Sequence, residues 1–369
     1  MTQTPPSDAA DNSADNSAED ARDKLTGHAG EHAVAVARAH GVRTMFTLSG
    51  AHVFPMYDGA VKAQPPMQIL DVRHEQTAAF AAEATGKLTR TPGLAVLTAG
   101  PGVTNGLSAV AQARFGGSPL VVVGGRAPAN RWGTGSLQEL DQPPIFAPVS
   151  KLARTIHSAA DVADGIDEAF TVAGASHRGP VFVDVPMDEL FATATSTMPV
   201  VGPRDRVEPD PDAIGEIAEL LGQARRPVLV LGTDVWADVA DDAALRLVEG
   251  IRIPTITNGM GRGVLPGGHP LLVTKARGAA FAGADLVLVV GTPLDFRLGF
   301  GVFSGKEEGS RPARVVHVAD SPAQVSGHAD LAGSASGDLT LALDGLHEAV
   351  TGLVRRPDWS SWLTELQDT

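Results

Sequence analysis

A carboxylate stands where α/β proteins commonly bind their ligands. Residues 68–72 (QILDV) have the apolar pattern of a strand, and the tetrapeptide RHEQ at 73–76 follows at once, before an alanine-rich helical stretch. Glu75 is therefore predicted to begin a helix just beyond the carboxyl end of a strand, the edge at which open α/β sheets bind ligands. A carboxyl group there can act as a general acid or base, or it can merely complement the helix dipole, a contribution below about 1 kcal/mol. Taken alone, Glu75 favours the dipole interpretation.

A glycine-rich turn offers a second candidate site. Residues 98–105 (TAGPGVTN) lie between a predicted strand and a predicted helix, and their glycines permit close approach of the backbone to a ligand. Asn105 could face such a ligand or only serve the start of the helix. The turn has no lysine and is no Walker loop, and the strand-then-glycine turns at Gly232 and Gly291 do not continue as GxGxxG. The pattern alone is therefore weak evidence for a nucleotide.

Other kinds of catalytic site are disfavoured. The chain has no cysteine, which excludes disulfides, thiolate metal sites and cysteine nucleophiles. The 11 histidines form no HExxH pattern. His28 and His32 are four residues apart, but no third ligand is evident, so the sequence predicts no zinc site. There is no GxSxG elbow, which disfavours a serine hydrolase of the common α/β type.

The sequence around these turns alternates between helix-like and strand-like patterns. Short uniform apolar runs such as 120–123 and 181–183 separate amphipathic or alanine-rich stretches, which is typical of parallel strands covered by helices on both faces. A proline-rich, charged stretch at 196–211 predicts a linker, after which the alternation restarts. We therefore predict the α/β fold class, with two tandem domains built on parallel sheets flanked by helices, the first at 25–195 and the second at 212–369.

Composition limits the partners and the compartment. Residues 1–24 hold six acidic and two basic side chains and no aromatic residue, so they are predicted to be a disordered tail. The whole chain has a formal charge of 29 − 43 = −14, which disfavours a nucleic-acid partner. No apolar stretch reaches the roughly 18 residues of a membrane helix, and no basic-then-apolar leader opens the chain. We expect no membrane partner and a cytoplasmic location.

Eight motifs then occur in order along the chain. They are FTLSGAHVFPMYDG at 46–59, VRHEQTAAFAAE at 72–83, LTAGPGVTNGLSAV at 97–110, SPLVVVGGRAP at 118–128, GSLQELDQ at 135–142, RGPVFVDVPMD at 178–188, NGMGRGVLPGGHPL at 258–271 and GTPLDFRLGFG at 291–301. Their order and spacing resemble the thiamine diphosphate-dependent decarboxylases, specifically the acetolactate synthase large subunits and their relatives, over residues 25–369. The resemblance implies a thiamine diphosphate pyrimidine-binding domain followed by a Rossmann-like central domain.

The resemblance also gives Glu75 a catalytic role. It matches the family's glutamate, whose hydrogen bond to the aminopyrimidine ring of thiamine diphosphate favours the imino tautomer, so that the exocyclic nitrogen can take the proton from C2. Further cofactor-binding positions are implied in the first domain. They are Ser49, Gly50 and Ala51 in the loop that approaches the reacting centre, Gly102 and Asn105 in the glycine-rich turn, and Gln138 on a loop near the substrate.

Departures from the family pattern bear on the substrate and on the flavin. Acetolactate synthases usually have Pro-Gly-Gly where residues 49–51 read Ser-Gly-Ala, and commonly glutamine where Arg126 stands. Both departures fit the 2-hydroxyacyl-CoA lyase and oxalyl-CoA decarboxylase-like branch about as well.

In the central domain, residues 271–279 lack the Gly-Met-His-Gly run of the flavin site, whereas Asp295 and Arg297 are preserved. The resemblance leaves FAD open, with a scaffold that holds no ligand as the alternative.

The family's third domain binds Mg²⁺ and the cofactor diphosphate through a Gly-Asp-Gly motif and paired asparagines, since Mg²⁺ demands oxygen ligands. The single Gly-Asp of this chain, Gly337–Asp338, continues as Leu339 and a helical stretch. No metal ligand is therefore assigned to this chain, and Mg²⁺ is expected through a C-terminal diphosphate-binding domain that the sequence lacks. Three explanations for the missing domain are open: a partner chain carries it, the chain is a truncated product, or the chain is a non-catalytic assembly protein.

The leading hypothesis is an acetolactate synthase-like component that uses thiamine diphosphate. It would decarboxylate pyruvate and condense the carbanion with a second 2-keto acid, a step of branched-chain amino acid biosynthesis. A homodimer, or a partner chain that carries the diphosphate-binding domain, is expected to complete the site. The alternatives are a 2-hydroxyacyl-CoA lyase or oxalyl-CoA decarboxylase-like component and a non-catalytic assembly protein.

Overall fold

The computed structural model describes residues 24–304, 312–355 and 357–369. The chain divides into two compact units. The first runs to Gly174 and resumes at Gly179–Pro203, and the second combines Ala175–Arg178 with Arg204–Thr369. The tail predicted at 1–24 lies outside the described residues except for Lys24. No helix in the described ranges is long and apolar enough to cross a membrane.

The first unit contains a parallel sheet between two layers of helices. Its strands are β1 (Lys24–His28), β2 (Thr44–Thr47), β3 (Gln68–Asp71), β4 (Gly93–Leu97), β5 (Leu120–Arg126), β6 (Leu152–Thr155), β7 (Pro180–Pro186) and β8 (Thr193–Thr197). Its helices are α1 (Ala29–Ala39), α2 (Phe54–Lys62), α3 (Glu75–Thr89), α4 (Pro101–Asn105), α5 (Leu107–Gly116), α6 (Pro143–Phe146), α7 (Val162–Gly174) and α8 (Met187–Phe191). Six strands pair in the order β3-β2-β4-β5-β7-β6, and every pair is parallel.

The uniform apolar runs of the sequence are the central strands of this sheet. Val121 and Val123 of β5 enter one hydrophobic cluster, whereas Leu120 and Val122 enter another. Because alternate residues of a strand point to opposite faces, both faces of the sheet are buried. The fold class predicted for this unit is confirmed. The two-stranded antiparallel pair of β1 and β8 was not predicted.

Helix α3 carries Glu75 at its first position. His74 precedes it in extended conformation, and its Nδ1 accepts a hydrogen bond from the backbone N–H of Gln76 at 3.2 Å. This contact caps the helix start, where the first amides lack intrahelical partners. The helix ends at Arg90, whose φ of 65° is left-handed. The β3–α3 connection thus fixes Glu75 just past the carboxyl edge of the sheet.

Close backbone packing holds this helix against the sheet. A Cβ on Gly93 would lie 1.9 Å from the carbonyl oxygen of Ala82, and one on Gly86 would lie 2.1 Å from that of Pro119. Neither side chain could be accommodated without moving backbone atoms. Small residues at the contact therefore let α3 approach β4 closely, and the helix start that carries Glu75 is held firmly.

The second unit is also an α/β fold with a parallel sheet. Its strands are β9 (Pro227–Leu231), β10 (Thr255–Thr257), β11 (Leu286–Val290), β12 (Arg314–Ala319) and β13 (Gly333–Ser336). Its helices are α9 (Pro211–Gln223), α10 (Thr233–Ala237), α11 (Asp241–Ile251), α12 (Arg277–Gly283), α13 (Leu339–Thr351) and α14 (Ser360–Gln367). The strands pair in parallel in the order β10-β9-β11-β12-β13. The predicted linker begins within β8, and residues 198–210 contain neither helix nor strand.

Candidate active site

The structure brings Glu75 together with Asn105. Glu75 is buried, with 8% of its surface exposed, although it stands at a helix start. Asn105, at the end of α4, donates a hydrogen bond from Nδ2 to Glu75 Oε2 at 2.9 Å. The other carboxylate oxygen, Oε1, has no hydrogen-bond partner among the described residues. The turns after β3 and β4 therefore present one oriented carboxylate with one oxygen available.

Glycines at 50 and 102 let the two loops pack around Thr98. A Cβ on Gly50 would lie 2.3 Å from Thr98 Cβ, and a Cβ on Gly102 would lie 2.5 Å from Thr98 Cγ2. The Gly102 position also faces the carboxylate, because its Cβ would come 3.7 Å from Glu75 Oε1. Gly102 thus lies beside Glu75, and Gly50 is linked to it through Thr98 of the turn. Gly50 and Gly102 leave no space for a larger residue.

Ser49 and Ala51 lie at the rim of the same loop. Both are exposed, and the backbone N–H of Ser49 donates to Asp71 Oδ1 at 3.2 Å. Arg73 also binds Asp71, through Nη1 at 2.7 Å. The Arg73 guanidinium and the Ser49 amide together lower the pKa of Asp71. The loop is thereby tied to the end of β3.

His52 lies beside the candidate site, and the sequence analysis missed it. It is only 3% exposed, its Nδ1 lies 3.0 Å from Thr98 Oγ1, and its Nε2 lies 3.2 Å from the carbonyl oxygen of Leu137. A carbonyl only accepts, so Nε2–H donates to Leu137 and Nδ1 accepts from the Thr98 hydroxyl. Burial lowers the pKa of His52, which favours this neutral form. The sequence did offer one signal for His52, namely its position directly after the Ser-Gly-Ala turn.

Gln138 follows Leu137 and adopts an unusual backbone conformation. Its φ is 57°, in the left-handed region that residues other than glycine rarely occupy. It packs against Gly100, whose φ is 60° and whose Cβ would lie 3.0 Å from Gln138 Cβ. The structure therefore places Gln138 beside the glycine-rich turn.

A second missed residue, Gln142, joins this turn to β5 and β7. It is fully buried, and its Oε1 accepts the backbone N–H of Gly100 at 2.7 Å. Its Nε2 donates to the carbonyl oxygen of Gly125 at 3.0 Å and to Asp184 Oδ2 at 2.7 Å. All of its amide contacts lie far away in sequence, so no local pattern could reveal them. Gln142 therefore fixes the position of the turn relative to β5 and β7.

Arg126 is anchored by acidic side chains and an indole. It donates to Asp184 Oδ2 at 3.0 Å and to Asp141 Oδ1 at 3.1 Å, and it lies over the ring of Trp132 at 4.0 Å. Asp184 is fully buried, and burial raises its pKa although Arg126 and Gln142 oppose the shift. Arg126 is therefore a fixed cation at the carboxyl end of β5.

Asp295 and Arg297 form their own pair in the second unit. They lie after β11, where Arg297 Nη2 donates to Asp295 Oδ2 at 2.6 Å and the Arg297 amide donates to Asp295 Oδ1 at 2.9 Å. Phe296 lies between them in sequence and is 73% exposed. Phe300 follows them and is 60% exposed. This edge of the second sheet thus carries a rigid turn with exposed aromatic rings.

The fold and the first-unit site define a known class of protein. Residues 28–145 match the family described as thiamine pyrophosphate enzyme, N-terminal TPP binding domain, and residues 214–346 match thiamine pyrophosphate enzyme, central domain. The chain belongs to the thiamine pyrophosphate enzymes. The resemblance noted in the sequence and the predicted α/β fold class are both confirmed.

Particular relatives lie in two branches of that family. The chain is 45% identical over 349 residues to a probable acetolactate synthase of Mycobacterium bovis and, equally, to an acetolactate synthase large subunit of Mycobacterium tuberculosis, with 92% of this chain and 61% of each relative covered. It is 34% identical over 311 residues to 2-hydroxyacyl-CoA lyase 2 of Homo sapiens, with 74% of this chain and 49% of the lyase covered. The chain therefore spans between 49% and 61% of the length of these curated relatives.

Proposed function

We propose that this chain is an acetolactate synthase-like, thiamine diphosphate-dependent component that acts on pyruvate and a second 2-keto acid in branched-chain amino acid biosynthesis. The observation that carries the proposal is the buried Glu75, held through Oε2 by Asn105 and open at Oε1. Catalysis by a buried carboxyl requires one oriented oxygen that can exchange a proton with the ligand. The 45% identity to the acetolactate synthase large subunit supports the choice of reaction.

The residues present fit the pyrimidine half of thiamine diphosphate. Glu75 Oε1 offers a partner for a ring nitrogen, and the missing side chain of Gly102 leaves the space beside that oxygen clear. Thiamine diphosphate, when bound, supplies an electron sink for the pair left behind by decarboxylation. Glu75 would hold a proton at Oε1 against the ring nitrogen, and Asn105 would keep the carboxyl plane fixed. Neutral His52, Ser49–Gly50–Ala51 and Gln138 would border the substrate.

The rest of the proposed site lies outside these residues. We propose that Mg²⁺ and the cofactor diphosphate are held by a further domain or by a partner subunit, because no Gly-Asp-Gly motif with paired asparagines occurs in this sequence. A homo-oligomer in the cytoplasm is the expected assembly. FAD is proposed at the turn after β11, where the exposed Phe296 and Phe300 could stack on an aromatic ring. A flavin band in the absorbance spectrum of the purified protein tests that assignment.

A second candidate is a 2-hydroxyacyl-CoA lyase or oxalyl-CoA decarboxylase-like component. It is favoured by Arg126, a cation fixed at the carboxyl edge by Asp184 and Asp141 where acetolactate synthases commonly have glutamine. The 34% identity to 2-hydroxyacyl-CoA lyase 2 supports it as well. In this candidate Glu75 and Asn105 keep the same roles, and only the substrate differs. A third candidate is a truncated, non-catalytic assembly protein, which would catalyse no reaction.

The test is catalytic and uses the chain together with a protein that bears the diphosphate-binding domain. Acetolactate formation from pyruvate and cleavage of a 2-hydroxyacyl-CoA are measured for the wild type, for Glu75→Ala and for Glu83→Gln. Glu83 is a matched control, because it is buried on the same helix and, among the residues that the structure describes, accepts a side-chain hydrogen bond only from Ser118 Oγ, at 2.5 Å. We expect acetolactate to form, Glu75→Ala to abolish it, and Glu83→Gln to retain it. Equal rates for wild type and Glu75→Ala reject the role of Glu75, and lyase activity alone selects the second candidate.

A further inference from the structure

The hydrogen bonds of Gln142 reach the glycine-rich turn that carries Asn105. Gln142 is fully buried, and its Oε1 accepts the backbone N–H of Gly100 at 2.7 Å. Its Nε2 donates to the carbonyl oxygen of Gly125 at 3.0 Å. These partners fix the orientation of the amide, because an N–H can only donate and a carbonyl oxygen can only accept. Gln142 is not among the residues to which the proposed function gives a role.

Gly100 is a flexible point of the turn that Gln142 restrains. Its φ of 60° and ψ of −117° form a conformation that is open to glycine and rarely to other residues, and glycine has the largest backbone freedom to lose. Gln142 holds its N–H, whereas its carbonyl oxygen accepts the N–H of Thr104 at 3.1 Å. Gly100 therefore joins Gln142 on one side to helix α4 on the other.

Helix α4 has little stability of its own. It contains five residues, from Pro101 to Asn105, and no side chain caps its start. An isolated helix of this length is not stable in water, so its position depends on the contacts that it makes with the rest of the unit. At its end, Asn105 Nδ2 donates to Glu75 Oε2 at 2.9 Å. A shift of Gly100 would thus move the side chain that orients the Glu75 carboxylate.

The link is anchored in the interior of the sheet. Gln142 Nε2 also donates to Asp184 Oδ2 at 2.7 Å, and Arg126 Nη1 donates to the same oxygen at 3.0 Å. Asp184 is fully buried in β7 and Gly125 lies in β5, and these two strands are interior neighbours in the sheet. Gln142 therefore ties the turn to two interior strands at once.

We propose that Gln142 is a positioning residue for the proton transfer assigned to Glu75. Through Gly100 and α4 it holds Asn105 where Asn105 keeps Glu75 Oε1 directed at the pyrimidine ring. The inference rests on the proposed function and adds to it a residue that, being fully buried, touches neither cofactor nor substrate. A displacement of about 1 Å at a reacting group can cost about 100-fold in rate. Loss of the Gln142 contacts should therefore lower kcat and leave KM nearly unchanged.

The first measurement follows Asn105 in the full chain without cofactor. Gln142→Met keeps an unbranched side chain of similar length and removes its hydrogen bonds. The side-chain amide of Asn105 is observed by NMR in protein that contains isotope-labelled asparagine, and it is assigned by its absence in Asn105→Ser. We expect its proton resonances to shift in Gln142→Met, because the distance from Nδ2 to the Glu75 carboxylate changes. This readout depends on no activity.

Ser118→Ala is the matched control. Ser118 is also fully buried and polar, and it binds Glu83 just before β5, at the edge of the sheet opposite the turn. Ser118→Ala should lower Tm, because Glu83 loses the buried hydroxyl that binds it. It should leave the Asn105 resonances and kcat unchanged. The control thereby separates an effect of position from a general loss of stability.

The second measurement is catalytic and uses the chain combined with a protein that bears the diphosphate-binding domain. Gln142→Met should lower kcat for acetolactate formation, and the rate of C2 proton exchange in bound thiamine diphosphate, by about 10- to 100-fold, with KM for pyruvate nearly unchanged.

Gln142→Glu should restore the rate at low pH only. There the introduced carboxyl is protonated and can donate to Asp184 while its other oxygen accepts from Gly100, whereas two ionised carboxylates at this distance repel each other. The ratio of the variant rate to the wild-type rate should therefore fall as the pH rises.

The outcomes separate this inference from the proposed function. Equal C2 exchange in wild type and Glu75→Gln refutes the proposed function and this inference with it. A rate that depends on Glu75 but is unchanged in Gln142→Met, or Asn105 resonances that do not shift, overturns the inference alone and leaves Gln142 with a purely structural role. If Gln142→Met fails to fold, Gln142→Glu decides: a ratio of rates that falls as the pH rises supports the inference, and a ratio that is independent of pH overturns it.

Discussion

Replacing Gly102 with alanine tests the packing that we infer beneath the candidate active site. The new Cβ would lie 2.5 Å from Thr98 Cγ2, about 1 Å closer than an ordinary contact, and Gly50 blocks Thr98 from the other side. Overpacking of this kind costs about 1–3 kcal/mol. For a unit of this size each kcal/mol lowers Tm by about 2–4 °C, so Gly102→Ala should lower Tm by about 2–12 °C.

A second substitution should relieve the same overlap. Thr98→Ser removes Cγ2 but keeps the hydroxyl that His52 Nδ1 accepts from, and the next contact of the added Cβ is 3.4 Å away. The double variant should therefore recover most of the loss, with a coupling energy of about 1 kcal/mol or more in a double-mutant cycle. Gly174→Ala is the control, because its Cβ would meet Pro92 Cγ at an ordinary 3.7 Å. A Gly102→Ala protein with unchanged Tm in differential scanning calorimetry, or one that Thr98→Ser does not restore, would refute the reasoning.

Two further predictions concern buried polar groups. His317 accepts the Ser326 backbone N–H at Nδ1 and donates from Nε2 to Thr292, and burial lowers its pKa. Its unfolded pKa near 6.5 is thus the higher value, so the second unit should keep full stability above about pH 6.5 and lose it as the pH falls towards the lowered folded pKa. Urea unfolding from pH 7.5 to 5 checks this, and His317→Gln should remove that acid loss. Gln142→Leu should destabilise the first unit by about 2–3 kcal/mol, because the buried Gly100 N–H loses its acceptor and the Gly125 carbonyl loses a donor, whereas Asp184 Oδ2 keeps Arg126. An unchanged urea midpoint would contradict the bonding assigned to Gln142.

The central strands and the edge strand β3 could be predicted from the sequence, whereas the edge strand β13 could not. β5 and β7 are buried on both faces and contain the uniform apolar runs 120–123 and 181–183, which the sequence pattern shows. By contrast β13, with the sequence GSAS, lies at an edge of its sheet and has no apolar run. Its place is decided by pairing with β12 and by tertiary packing, which outweigh local propensity.

The site was predictable where a motif carried it and hidden where the contacts were distant. Glu75 and Asn105 came from two family motifs, and the structure joins them at 2.9 Å. Gln142 binds groups 42 residues away at Gly100 and Asp184, and its role depends on where the strands end in space. His52 stood beside a predicted loop but gave no spacing pattern of its own. The contacts of such side chains can be predicted only when the order of the strands in the sheet is known.

The most direct test of the central claim is the rate at which bound thiamine diphosphate exchanges its C2 proton for deuterium. It is measured by NMR on the chain combined with a protein that carries the diphosphate-binding domain, for the wild type, Glu75→Gln and the control Glu83→Gln. Because Glu75 is assigned the proton at the ring nitrogen, the account predicts a fall of about 10²- to 10⁴-fold in Glu75→Gln alone. Equal exchange rates in all three proteins, with the cofactor bound in each, would contradict it.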